Sequence, residues 1–332
     1  MGKLYRSFDR KIIILDGTRP QDKHLDSILS LLINVLDKHK DCKIKTFKLQ
    51  NIRINQCVNC FNCWIKTPGR CFHDDAGADI LKAILKSDMV VLFTPVVFGG
   101  YSSELKKIID RFLPLVLPFF RENHGEIHHP PRYSVLPRFI GIGVHPHPKK
   151  ELSDCFKILV GRNALNLPPS SYAAEVVRSR DSVETLRDRF QVLLTKTDAP
   201  PRRNDLFSLA DDSNSAPSIS TGNCRALLIT GSKKNRNSGT SGILGEYLLK
   251  RLRKYGWKTE ALSAKRPLTD KIQQYNFYRS VDQADTLVLS FPLYFDTLPF
   301  SLIKALEIVS ASSRAATRTG KPKNLLALVN TG

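Results

Sequence analysis

Apolar and polar positions in the first part of the chain follow two alternating patterns. Residues 11–16 are an apolar, β-branched run, and apolar residues from Leu25 to Leu36 then recur every three or four positions. This order predicts a strand, a turn and a helix. Further strands are predicted, each followed by a helical pattern, at 43–49, 89–93, 139–144 and 172–177. Five such units in strict alternation predict an α/β fold, a doubly wound parallel sheet with helices on both faces.

The pattern stops and then starts again. Residues 198–223 are rich in Pro, Ser, Asn and Asp and lack apolar periodicity, which is typical of an exposed linker. After them, residues 284–292 align without a gap on residues 87–95. A whole-domain repeat explains this alignment. We therefore predict one domain at 1–197, a linker at 198–223 and a second copy of the domain at 224–332.

The second copy is expected to be incomplete. Its last residues, 324–332, correspond to the fourth strand of the first copy and the start of the loop after it. Without a fifth strand and its helices, the fourth strand is an open edge. We expect either that the chain is a fragment or that a partner covers this surface.

Four of the seven cysteines lie within fifteen residues, in the pattern C-x2-C-x2-C-x7-C. The first copy spans 71 positions from Gly17 to Asp88, whereas the second spans 54 from Gly231 to Asp285. The first copy is longer by about the length of the cysteine stretch, so the cysteines lie in an insertion. Such spacing suits a [4Fe–4S] cluster. A structural zinc and a reduced, metal-free loop are the alternatives. The candidate metal ligands are Cys57, Cys60, Cys63 and Cys71.

Charge and hydropathy narrow the class of protein. The chain has 51 Lys and Arg against 31 Asp and Glu, a net charge of +20, but no nucleic-acid-binding motif. No apolar run is long enough to span a bilayer. We expect a cytoplasmic protein with reduced cysteines, without a membrane span and without a nucleic-acid partner.

Ligands of doubly wound sheets bind beyond the carboxyl ends of the strands. The loop after the first strand of the second copy, residues 231–241, combines hydroxyl groups with three cations and suits a phosphate monoester. The equivalent loop of the first copy holds Thr18 but also the carboxylate of Asp22, so it is the poorer phosphate site. Only Arg19 and Lys23 could compensate for that carboxylate.

The loops after the third strands, residues 94–101 and 291–296, contain aromatic side chains at the same spacing. Those side chains, with free backbone amides, suit a planar heterocycle with polar edges. An ordinary loop whose aromatic residues close the top of the core is the alternative.

The order of these motifs resembles that of the flavodoxin-fold NAD(P)H-dependent FMN reductases, and in particular their iron–sulfur flavoprotein branch. The motifs are the Gly-Thr or Gly-Ser loop, the cysteine pattern, T-P-V-x-F-G-G and L-K-x-x-x-D-R. The resemblance implies FMN as the cofactor and NAD(P)H as the co-substrate. It implies these cofactor-binding residues: Thr18, Arg19, Thr94, Pro95, Val96, Phe98, Gly99, Gly100, Tyr101, His145, Ser232, Ser238, Thr240, Ser241, Pro292, Tyr294, Phe295 and Asn330.

The implied activity is an FMN-dependent oxidoreductase that uses NAD(P)H to reduce a quinone, a flavin or another small acceptor. The alternative is an electron-transfer flavoprotein that acts on a redox protein without turning over a small molecule. A third interpretation is a degenerate flavin-binding module, favoured by the short second copy. The apolar stretch 112–120 is either a dimer surface or a buried continuation of the helix before it; we favour the dimer surface and therefore expect a homo-oligomer.

Overall fold

The computed structural model describes residues 10–38, 42–123, 125–200, 224–231, 239–315 and 324–330. The chain divides into two compact units, Met1–Asp211 and Asp212–Gly332. The division falls within the stretch predicted as a linker. The finer domain boundaries stay a prediction, because residues 201–223 lie outside the described part of the chain.

The first unit has a five-stranded parallel sheet in the order β2-β1-β3-β6-β7. The predicted α/β fold is therefore confirmed. Its strands are β1 (Arg10–Asp16), β2 (Cys42–Lys48), β3 (Met89–Pro95), β4 (Arg121–Asn123), β5 (Glu126–His128), β6 (Arg138–His145) and β7 (Tyr172–Arg178). Its helices are α1 (Asp26–Asp37), α2 (Asn62–Ile65), α3 (Gly77–Leu85), α4 (Ser103–Ile109), α5 (Lys150–Asn166) and α6 (Val183–Thr195).

Helices cover both faces of this sheet. Apolar residues of α1 and α6 form one core cluster with alternate residues of the strands, including Ile140 and Ile142. Gly141, which lies between them in β6, faces the other way, and a Cβ there would lie 2.7 Å from Val160 of α5. Glycine therefore lets α5 approach β6 closely on the second face.

The second unit has a four-stranded parallel sheet in the order β9-β8-β10-β11 among the described residues. Its strands are β8 (Arg225–Thr230), β9 (Lys258–Ser263), β10 (Thr286–Pro292) and β11 (Asn324–Asn330), and its helices are α7 (Thr240–Lys254), α8 (Lys271–Gln283) and α9 (Phe300–Ala315). Helix α7 covers one face, and α8 and α9 cover the other. The strand order repeats that of the first four main-sheet strands of the first unit.

The two units share details below the level of topology. The carboxylate of Asp88 accepts a hydrogen bond from the Lys11 N–H at 2.8 Å, and Asp285 accepts one from the Arg225 N–H at the same distance. Both aspartates also donate their own N–H back to the same residue, at 2.9 Å. This reciprocal pair holds strands 1 and 3 together in both units, which supports the predicted duplication.

The first half of the stretch 112–120 is buried, which was the alternative to an interface, but it does not continue the helix. Helix α4 ends at Ile109, and Leu113–Leu115 form a 3-10 turn around Pro114. Phe112, Leu115 and Val116 are buried within their own unit, and only the end of the stretch, Phe119 and Phe120, is exposed. The first half is core and contacts α2, whose Trp64 side chain donates to the Leu113 and Val116 carbonyls. In the part of the chain that the structure covers, no helix is long and apolar enough to cross a membrane.

Candidate functional site

The loop after β3 makes the same tight turn in both units. In the first unit Val97 and Gly100 exchange backbone hydrogen bonds of 3.0 and 2.9 Å, and in the second Tyr294 and Thr297 do so at 3.0 and 3.3 Å. The two central residues of each turn have positive φ. Asp296 of the second turn, with φ 60°, takes the place of a glycine in the first.

Positive φ is uncommon for a residue with a Cβ and costly for a bulky one. Phe98 has a φ of 50° and Phe295 a φ of 45°. Such strain is found at ligand sites more than elsewhere. Its occurrence at the same position in both copies marks this loop as the candidate site.

In the first unit, only part of the loop predicted to contact a planar ring, residues 94–101, is accessible. Phe98 is 57% exposed, and its N–H and that of Gly99 have no hydrogen-bond partner among the described residues. Tyr101 is buried and donates its hydroxyl to Asn163 at 3.0 Å. The Thr94 hydroxyl is also buried, and it receives the N–H of Ser102 at 3.0 Å. These two side chains position the loop from within the core.

The other residues predicted to contact the flavin ring also fall into buried and partly exposed positions. Buried positions in the first unit are Pro95, Val96 and Gly100. His145 is half-buried at the end of β6, next to the site, and its Nδ1 accepts the N–H of His147 at 3.1 Å. In the second unit Pro292, Tyr294 and Phe295 are all half-buried.

The loop after β1 of the first unit is closed by its own side chains. The Asp22 carboxylate accepts the Arg19 N–H at 3.0 Å, Nε at 2.6 Å and Nη2 at 3.0 Å. The two side chains are 16% exposed for Arg19 and 7% for Asp22. Arg19, which was expected to compensate for Asp22, is therefore occupied by it.

Asp16 adds a second carboxylate at the end of β1. It is fully buried, and one oxygen accepts the Thr18 N–H at 2.9 Å. The other oxygen, Oδ2, is buried with no hydrogen-bond partner among the described residues. Burial raises the pKa of Asp16 and outweighs the opposing effect of the Thr18 hydrogen bond.

The phosphate loop of the second unit lies largely outside the described residues, including Ser232 and Ser238. Thr240 is exposed at the start of α7, whereas Ser241 is buried and its carbonyl accepts the Ser290 hydroxyl at 2.6 Å. Asn330 ends β11, and its side chain is not described.

The base of the cysteine loop is held by one arginine. Arg111 donates to the Asn55 carbonyl at 2.8 Å and to both carboxylate oxygens of Asp75 at 3.0 and 3.1 Å. Asp75 also accepts the Asn55 N–H at 2.8 Å. The residues on either side of the cysteine loop are thus joined through Arg111. This role of the L-K-x-x-x-D-R motif was not predicted.

The tip of the cysteine loop packs on the stretch after α4. The Trp64 Nε1 donates to the carbonyls of Leu113 and Val116 at 3.1 and 3.0 Å, and its ring lies 4.7 Å from that of His129. The neighbouring His128 is bonded to Asn166 of α5 at 2.9 Å. The tip of the cysteine loop and the stretch after α4 therefore form one structural module.

The four cysteines of the loop differ in environment. Cys63 is buried, Cys57 and Cys71 are half-buried, and Cys60 is exposed. Burial raises the pKa of Cys57 to about 12 and that of Cys63 to about 11, with the neighbouring thiols contributing. In the described part of the chain, no three His, Cys, Asp or Glu side chains are arranged to hold a metal ion. The thiols as placed therefore do not fit a cluster.

The first unit matches a known protein family. Residues 10–126 match the sequence model of the NADPH-dependent FMN reductases. This match confirms the resemblance found from the motifs. It lies within the first unit and covers none of the second.

Curated relatives agree with this match. An iron–sulfur flavoprotein of Methanocaldococcus jannaschii is 28% identical over 113 residues, which are 34% of this chain and 57% of the relative. An iron–sulfur flavoprotein of Archaeoglobus fulgidus is 29% identical over 92 residues, 28% of this chain and 39% of the relative. The chain thus spans about half the length of the curated relatives it matches, or less.

Solved structures show a weaker likeness. An NAD(P)H:quinone oxidoreductase of Methanothermobacter marburgensis has a TM-score of 0.42 and 12% identity, over 55% of this chain and 95% of the other. Likenesses of this degree do not bear on activity.

Proposed function

We propose that this protein is an FMN-dependent oxidoreductase that takes electrons from NAD(P)H and passes them to a small acceptor such as a quinone or a flavin. The observation that carries the proposal is the strained turn after β3, present at the same place in both units. The family match supports FMN as the cofactor; it lies in the first unit, and the second unit repeats the turn of the first.

The turn after β3 suits a planar ring in both units, with Phe98 in the first and Phe295 in the second. Phe98 offers an exposed aromatic face, and the unpaired N–H groups of Phe98 and Gly99 can donate to polar ring edges. His145 lines the same end of the sheet. Bound FMN supplies the capacity to accept a hydride and to release electrons singly or in pairs. The protein's own part is to bind and orient the ring.

The phosphate of the cofactor does not fit the first unit, because Asp22 already occupies Arg19. The second unit has the cationic residues Lys233, Lys234 and Arg236 in the equivalent loop, with no carboxylate. We therefore propose that FMN is bound by the second unit, with Ser232, Ser238, Thr240 and Ser241 as its phosphate ligands.

A [4Fe–4S] cluster on Cys57, Cys60, Cys63 and Cys71 is a further part of the proposal. Its support is the spacing of the cysteines and the names of the relatives. Because the thiols do not converge as placed, cluster binding requires the loop to rearrange. Iron and sulfide analysis after anaerobic purification tests it. Cys60→Ser must abolish bound iron, and Cys42→Ser, a matched change outside the loop, must not.

Steady-state kinetics test the activity. We expect the FMN-loaded full chain to oxidise NADH or NADPH continuously when a naphthoquinone or free flavin is supplied. Flavin reduction without turnover of any small acceptor supports the electron-transfer alternative. A chain that neither binds flavin nor oxidises a nicotinamide contradicts both functions. A homo-oligomer and a cytoplasmic location stay predictions, which sedimentation and fractionation can test.

A further inference from the structure

At four successive positions of the loop after β1 in the first unit, no backbone N–H group is left to donate to a phosphate. The Gly17 N–H is bonded to the Phe93 carbonyl at 2.8 Å, and the Thr18 and Arg19 N–H groups are bonded to carboxylates at 2.9 and 3.0 Å. Pro20 has no N–H. A phosphate cradle depends on unpaired N–H groups that point at the ligand, and these four residues offer none.

The charges in this loop oppose an anion as well. Asp22 forms a bidentate pair with the Arg19 guanidinium, which is the pairing that a phosphate would otherwise form with it. Asp16 places a second buried carboxyl group at the end of β1. A phosphate dianion brought into this loop would face two carboxyl groups and a cation already neutralised, and of the two compensating cations only the exposed Lys23 would be left.

The second unit differs at both positions. Thr230 stands where the first unit has Asp16, and its hydroxyl donates to the Leu262 carbonyl at 3.4 Å. Gly231 repeats the hydrogen bond of Gly17, donating to Ser290 at 2.9 Å. The two loops therefore begin alike and diverge in charge.

The ring end of the first unit stays open. Phe98 is exposed, and the turn that presents it is the same as in the second unit. We infer that the first unit binds a planar, uncharged ring that carries no phosphate, such as riboflavin or a quinone, and that Asp22 is the residue that excludes a phosphate monoester. The inference rests on the proposed flavin chemistry and assigns the two units different ligands.

Equilibrium titration of the full chain tests the inference, with FMN, riboflavin and menadione as probes. FMN should saturate at one molecule per chain, and its binding should be lost in Phe295→Asn but kept in Phe98→Asn. Asparagine suits both positions because it tolerates positive φ without an aromatic ring. Riboflavin or menadione should occupy an additional site that is lost in Phe98→Asn only. Which of the two binds identifies the ring.

Replacing Asp22 should open the first unit to FMN. In Asp22→Ser a second FMN molecule should bind. Its affinity should be roughly tenfold or more higher than that of any second FMN on the wild type, because a charge-assisted contact becomes available. Asp22→Asn removes the charge with little change of shape and should act in the same direction if Asp22→Ser is poorly folded. Asp79→Ser, at an exposed carboxylate, is the matched control and should change nothing.

The inference is overturned if the wild-type chain binds two FMN molecules, one of which is lost in Phe98→Asn and the other in Phe295→Asn. It is also overturned by a folded Asp22 variant that gains no FMN, or by a wild-type chain that binds neither riboflavin nor menadione beyond its FMN. Failure of the proposed function is distinguishable, because the predicted stoichiometries can hold in a protein that oxidises no NAD(P)H. A chain that binds no flavin contradicts both.

Discussion

The carboxylate of Asp75 accepts hydrogen bonds from both terminal nitrogens of Arg111, at 3.0 and 3.1 Å. This pair lies where the cysteine loop begins and ends. The Arg111 side chain is completely buried and that of Asp75 is 4% exposed. A buried charge without its partner is far more costly than the complete pair. The integrity of the cysteine loop therefore depends on a pair that lies outside it.

Asp75→Asn should lower the free energy of unfolding by about 3 kcal/mol, because it leaves the Arg111 charge uncompensated. Chemical denaturation monitored by circular dichroism measures the change. Asp79→Asn, which affects an exposed pair with Lys82 at 3.6 Å, should cost less than about 1 kcal/mol. Equal effects of the two variants contradict the buried role.

The same pair should be visible in acid. Burial tends to raise the pKa of Asp75, but the hydrogen bonds from Arg111 and the Asn55 N–H outweigh it, so the pKa is lowered in the folded state. The stability it contributes is present above the unfolded pKa of about 4 and is lost as the pH falls through the folded value. The gap between wild type and Asp75→Asn should therefore narrow below about pH 4. A constant gap across that range argues against this linkage.

The two tryptophans offer a matched comparison. Trp64→Phe removes two hydrogen bonds to the stretch after α4 and should cost about 1–2 kcal/mol. Trp257→Phe removes a buried N–H that has no partner among the described residues, so it should be neutral or slightly stabilising. Hydrogen exchange should show faster opening of residues 113–133 in the first variant only. Equal opening in both variants would falsify the module formed by the loop and this stretch.

Two glycines with the same φ separate backbone strain from packing. Gly99 and Gly125 both have φ 76°, but a Cβ at Gly99 would lie 2.8 Å from the Cys155 Sγ, whereas one at Gly125 would meet nothing within 4 Å. Both changes to alanine should cost about 1–2 kcal/mol from strain. Gly99→Ala should cost more and should weaken riboflavin binding, and Cys155→Ala should restore part of the loss. If Gly125→Ala weakens riboflavin equally, the site is elsewhere.

The contribution of Asp16 to stability should have the opposite pH dependence to that of Asp75. Burial raises its pKa in the folded state, so its contribution to stability is full below the unfolded pKa of about 4 and declines as the pH rises through the folded value. Asp16→Asn should therefore stabilise the protein at pH 8, by about 1 kcal/mol or more, and much less near pH 3. Asp37→Asn, at an exposed position, is the matched control, and an equal pH trend in the two variants contradicts the buried role of Asp16. The measurement is the unfolding midpoint across this pH range.

The strands and the duplication could be predicted from the sequence because buried parallel strands require continuous apolar runs, and those runs recur at matching spacing. The end of α4 could not, since the apolar spacing continues to Phe112 while the helix ends at Ile109. Pro114 contributes to the break, because it has no N–H to donate to the Asp110 carbonyl four residues before it and its ring would clash with that carbonyl in an α-helix.

Contacts between side chains were less predictable than elements. Asp22 was recognised as unfavourable for a phosphate, but its bidentate pair with Arg19 depends on the local turn. The Arg111–Asp75 pair joins residues 36 positions apart and depends on the packing of two helices. The loop that holds Phe98 could be singled out from the sequence because its aromatic pattern occurs twice, but the positive φ of Phe98 left no signal in the residue types.

The central claim is that the chain carries FMN and reduces it with NAD(P)H. Its most direct test is the visible absorption spectrum of the anaerobically prepared, FMN-loaded full chain before and after addition of NADPH and, separately, NADH. The account predicts a bound-flavin spectrum that bleaches with at least one nicotinamide and recovers when a quinone is added. A chain that retains no flavin after gel filtration, or whose bound flavin stays oxidised with both nicotinamides, contradicts it.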